Sequence, residues 1–105
     1  MIPALHTHRA AIARLCAQYG VRTLAVFGSA SVEGADEAAR DVDLVVDFDR
    51  LRRERPLPCY FEFKRDLEAL LNKPVDLLEL QALPESRLKR SIVRTARPFY
   101  AATPA

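Results

Sequence analysis

Long apolar runs are missing from this sequence. None approaches the roughly 20 residues that a bilayer-spanning helix requires, and the opening stretch, MIPALHTHRAAIARL, lacks the unbroken apolar core of a secretory signal. The expectation is a cytoplasmic protein with no membrane association. Cysteine is scarce: Cys16 and Cys59 stand far apart and form no C-x-x-C pair, so both read as ordinary thiols. Internal repeats, low-complexity tracts and linkers long enough to divide the chain into domains are absent too. With 105 residues there is no room for a second core, and residues 1–105 read as one domain. Nor is there a strong charge imbalance: 16 Lys and Arg against 14 Asp and Glu give a net charge of +2, too small to indicate nucleic-acid binding by itself.

What the chain does have is apolar residues enough for a core. Half of it is hydrophobic and 29% is charged, the balance of a globular domain rather than of a disordered tail. The charge is unevenly placed. Arg87, Lys89, Arg90, Arg94 and Arg97 occur with no acid among them, while Asp36, Glu37, Asp41, Asp43, Asp47 and Asp49 crowd the middle.

Periodicity divides the sequence into six elements. Leu5, Ile12, Leu15, Cys16 and Tyr19 recur at helical spacing, with Thr7 as N-cap and Gly20 as stop, which predicts a helix from about residue 7 to 19. VRTLAVFG is a short β-rich strand that ends at Gly28. Ser29 to Arg40 is small, acidic and Ala-rich, an exposed loop with one helical turn near ADEAA. DVDLVVDF alternates, with Val42, Leu44, Val46 and Phe48 on one face and Asp41, Asp43, Val45 and Asp47 on the other. After the connector DRLRRERPLP, Phe63, Leu67, Leu70 and Leu71 mark a second helix that NKP closes. VDLLEL reads as a buried third strand, and PESRLKRSIVRTA as a final helix with Leu88, Ile92 and Ala96 on its apolar stripe. Phe61, Phe63, Phe99 and Tyr100 read as core or packing residues, with docking on a partner as the alternative for the closing PFY. His6 and His8 point to different sides of a helix and read as surface residues. The order predicts an α/β (α+β) fold, a small mixed sheet of three strands or slightly more flanked by helices.

Asp41 and Asp43 are the unusual feature. Side chains two apart on a strand point the same way, roughly 6.5 Å apart along it, so the two carboxylates converge. Like charges so close repel, and divalent cations relieve the repulsion; hard oxygen ligands favour magnesium, manganese or calcium. Asp76, entering the third strand, is the natural third carboxylate of a two-metal site. Gly28 and Ser29 supply the complement, since glycine lets backbone N–H groups approach a phosphate and a serine hydroxyl bonds its oxygens.

A Gly28-Ser29 turn after the first strand, Asp41-x-Asp43 on the second and a single Asp76 on the third resemble the DNA polymerase beta nucleotidyltransferase superfamily. The length and terminal helix resemble its minimal nucleotidyltransferases, the MNT proteins, and the likeness covers nearly the whole chain. It implies the nucleotidyltransferase fold, and two divalent metals, Mg2+ or Mn2+. It also implies transfer of AMP from ATP to an acceptor hydroxyl with release of pyrophosphate. Many MNT proteins are antitoxins that pair with a HEPN ribonuclease and adenylylate it. The implied partner is therefore a HEPN-type toxin, in a homo- or hetero-oligomer, rather than nucleic acid as direct substrate. Carried over residue by residue, Gly28 and Ser29 bind nucleotide, Asp41 and Asp43 bind metal, and Asp76 is the third metal ligand and helps activate the acceptor. Two positions depart from the family: ASVEG offers Gly34 but no basic residue after the Gly-Ser, and Arg40 replaces the small hydroxyl residue before the first aspartate. The departures keep a second function open, a catalytically weak or inactive domain that acts as a binding antitoxin.

Overall fold

The computed structural model describes residues 1–28, 41–49 and 56–102. In chain order they form α1 (Pro3–Thr7), α2 (Arg9–Gln18), β1 (Val21–Phe27), β2 (Val42–Phe48), α3 (Pro56–Leu71), β3 (Val75–Glu79), a 3-10 turn (Leu80–Ala82), α4 (Arg87–Thr95) and β4 (Arg97–Ala101). The four strands make one mixed sheet in the order β3-β2-β1-β4. β1 runs antiparallel to both β2 and β4, and β2 runs parallel to β3. No helix among the described residues is long and apolar enough to cross a membrane.

The α/β architecture with a mixed sheet flanked by helices is as the sequence predicts, with one strand more than its six elements contain. The first helix differs from its expectation. Helix begins at Pro3, whose fixed φ suits a first helical position, so Thr7 lies inside α1 rather than capping a later start. A break at His8 then separates α1 from α2. Gly20 does end the unit, at φ +70. α3 also starts earlier than its apolar spacing indicates, at Pro56 within the connector, and ends at Leu71, followed by Asn72 in the left-handed region at φ 53. The loop 29–40, with its ADEAA turn, lies outside the described residues.

The core forms where the apolar stripes meet. Ile2 and Leu5, Ile12 and Cys16 of the first two helices, Phe63, Leu67 and Leu71 of α3, and Val42, Leu44, Val46 and Phe48 of β2 are all buried in one cluster. Phe63 ties three elements together, with ring centroids 5.6 Å from Tyr19 and 6.0 Å from Phe48. The end of α2 is joined to α3 by the Tyr19 hydroxyl, which donates to Asp66, and Tyr60 donates to the Leu77 carbonyl and so joins α3 to β3. Phe99, in the unforeseen β4, completes the cluster. Arg9 donates to its carbonyl at 3.1 Å and lies 4.3 Å over its ring.

Topology places the last helix. α3 joins β2 to β3 and α4 joins β3 to β4, both pairs are parallel, and the two connections cross the sheet in opposite directions. Connections between parallel strands are right-handed, so α3 and α4 fall on opposite faces. Ile92 of α4 and Val45 of β2 are accordingly buried but outside the main cluster. Leu88, expected on the apolar stripe, is 64% exposed, because α4 is anchored through Ile92 instead.

Candidate active site

The alternation of β2 decides where its carboxylates go. With Val42, Leu44 and Val46 committed to the core, Asp43 must face the other way. The Val42 amide donates to the Pro74 carbonyl at 3.0 Å, which fixes the start of β2 against the start of β3. In the resulting register Asp43 lies opposite Asp76, as Val42 lies opposite Val75. Neighbouring strands are about 4.8 Å apart, so two acids distant in sequence become lateral neighbours on one face. Asp41 stands exposed just before β2, and its charge also reaches Asp43.

These neighbours perturb Asp43. Its carboxyl is raised above the usual carboxylate value, first by burial, then by the negative charges of Asp76 and Asp41. The three predicted acids thus share one electrostatic locale. They do not form a ready-made cage: among the described residues no three His, Cys, Asp or Glu side chains are gathered closely enough to hold a metal ion. The donor chemistry nonetheless fits a divalent cation, since hard carboxylate oxygens that repel one another gain from a positive charge between them.

Gly28 closes the site from β1. Phe27 pairs with Asp43, and Gly28 follows at φ +70. A Cβ on Gly28 would lie 2.3 Å from Asp43 Oδ2, so the absent side chain makes room for that carboxylate. Sequence reasoning gave this glycine a phosphate-binding role only and did not show its contact with Asp43, which depends on the strand register. Ser29 lies outside the described residues, as do Gly34 and Arg40. β4 adds a feature that spacing could not reveal: Arg97 pairs with Val26, at the same end of the sheet as Gly28.

Cys16 is buried on the core side of α2, and burial pushes its thiol up to about 12, which makes it inert.

The chain and its fold have counterparts among known proteins. The family described as Polymerase beta, Nucleotidyltransferase matches residues 10–104. The solved structure of a minimal nucleotidyltransferase is 33% identical, with 90% of this chain and 91% of that one covered and a TM-score of 0.69. The MNT antitoxin in complex with the tri-AMPylated HEPN toxin of Shewanella oneidensis shares the fold at 17% identity, 92% and 72% coverage and a TM-score of 0.66. A toxin–antitoxin structure with AMP-PNP does so at 21% identity, 90% and 73% coverage and a TM-score of 0.64. No curated protein matches the chain. The family match runs from the start of α2 past the end of β4 and includes every strand of the sheet that carries Asp43 and Asp76; the chain belongs to the polymerase beta nucleotidyltransferase family.

Proposed function

We propose that this protein is a metal-dependent nucleotidyltransferase that moves AMP from ATP to a hydroxyl of a partner protein, and that the partner is a HEPN-type toxin for which it serves as antitoxin. The observation that carries the reading is the lateral pairing of Asp43 with Asp76, with Gly28 opened to the Asp43 carboxylate. The partner rests on the fold shared with an MNT antitoxin in complex with an AMPylated HEPN toxin.

Asp41, Asp43 and Asp76 would hold two divalent ions, magnesium or manganese, which when bound neutralise the triphosphate and align it for attack. Gly28, at the end of β1, and Ser29, next in sequence, would offer backbone N–H groups and a hydroxyl to phosphate oxygens. The acceptor hydroxyl oxygen forms a bond to the α-phosphorus, the bond from that phosphorus to the bridging oxygen breaks, and pyrophosphate leaves with the electron pair. Asp76, exposed beside Asp43, would take the hydroxyl proton.

The test incubates the protein with magnesium, α-labelled ATP and a lysate of its source cells, in parallel with Asp43→Asn. Label on a protein band with the unmodified chain alone is the expected result. With the fold verified, label on no band turns the assignment to a binding antitoxin without transferase activity.

A further inference from the structure

The final helix carries charge that the core does not use. α4 contains four cations and no acid. Lys89 is held by Glu85 at 2.8 Å, but Arg87, Arg90 and Arg94 are exposed and form no ion pair among the described residues. Their spacing of three and then four residues sets them in one stripe. Val93, 58% exposed, borders the stripe, while Leu88, 64% exposed, lies on the side of the helix nearer to Ile92, the one buried residue.

We propose that this outward side of α4 is the docking surface for an acidic protein face, and that the face belongs to the acceptor protein; the proposal rests on the acceptor reading above. Charge complementarity selects the occupant. Three arginines able to bond carboxylates in bidentate fashion, with the exposed Val93 beside them and Leu88 further round the helix, suit a carboxylate-bearing surface with apolar anchors. Nucleic acid is the poorer fit, because α4 has no aromatic side chain on which a base could stack.

Position completes the argument. β3 starts beside Asp76 and runs away from that end of the sheet, and α4 returns towards it, because Arg97, which follows α4, pairs with Val26 close to Gly28. The crossover rule puts α4 on the face of Asp43 and Asp76. A partner seated along α4 is therefore held on the carboxylate side of the sheet, the side at which its hydroxyl must arrive for transfer.

The experiment measures binding of the purified HEPN-type toxin from the same source to the unmodified protein, to Arg90→Glu/Arg94→Glu and to Leu88→Ser/Val93→Ser, at low and raised salt. Affinity for a fluorescent ATP analogue with magnesium is measured alongside, and bulk tRNA serves as a second probe. Each double variant is expected to bind the toxin about tenfold more weakly or worse, the unmodified protein to weaken with salt, and analogue affinity to stay unchanged. Ile92 is untouched, so the fold is retained. Variants that bind the toxin as tightly as the unmodified protein overturn the proposal and leave the acceptor reading standing. An unmodified protein that ignores the toxin overturns both, and loss of tRNA binding alone in the arginine variant reassigns the stripe to nucleic acid.

Discussion

At the scale of single residues, the site is built by what is removed as much as by what is present. Gly28→Ala places a methyl group 2.3 Å from Asp43 Oδ2 and a side chain on a backbone at φ +70. The left-handed backbone costs roughly 1–2 kcal/mol, and the carboxylate must turn away. The expected outcome is a folded protein with a slightly lower melting temperature and little metal-dependent nucleotide binding, measured by calorimetry and by titration of a fluorescent ATP analogue. Asp43→Asn acts in the opposite sense on stability. Because burial and the charges of Asp76 and Asp41 raise the Asp43 carboxyl, the fold favours its protonated form. That advantage is present below the ordinary carboxylate value and is lost as pH rises through the raised one. At neutral pH the charge therefore works against folding, and Asp43→Asn should melt a few degrees higher in chelator while losing transfer. A lower melting temperature for this variant contradicts the repulsion account.

At the scale of elements, β1, β2, β3 and α3 were legible because each has one strong signal: alternation, a β-branched run or a helical apolar stripe. The lateral neighbourhood of Asp43 and Asp76 follows from the parallel pairing of β2 and β3 and not from any spacing, so the sequence could nominate both acids without placing them. β4 was not legible. RPFYA is five residues long and contains a proline, which lacks an amide donor and reads as a turn, although an edge strand tolerates it. Leu88 misled for another reason: it lies on the helical stripe with Ile92, and Ile92 is the one residue of α4 that is buried. The α2–α3 link offers its own test. The Tyr19 hydroxyl is pushed up to about 12, first by its hydrogen bond to Asp66. Its stabilising contribution is whole below the ordinary phenol value of 10.0 and is lost as pH rises through about 12. Tyr19→Phe should cost about 1–2 kcal/mol in urea unfolding near neutrality and flatten the fall in stability above the phenol value. The slope that remains belongs to Cys16, whose thiol also rises from 9.0 to about 12.

At the scale of the whole molecule, acidic and basic chemistry occupy separate places. The carboxylates gather at one end of the sheet, while α4 carries arginines along one stripe. Filling the acidic end should stabilise the whole fold by mass action. Magnesium at 100 times its dissociation constant adds about 2.7 kcal/mol, visible as a rise in melting temperature that chelator reverses and that Asp43→Asn lacks. A rise of equal size in that variant removes Asp43 from the set of ligands. The same scale reveals a timing constraint. β1 lies between β2 and β4, and the Arg9–Phe99 hydrogen bond spans 90 residues. On the ribosome, β1 emerges early and its flank on the β4 side stays bare until the residues of β4 follow. During synthesis that flank is an open strand edge able to pair with another nascent chain, and the sheet is complete only when translation has delivered the strand that covers it.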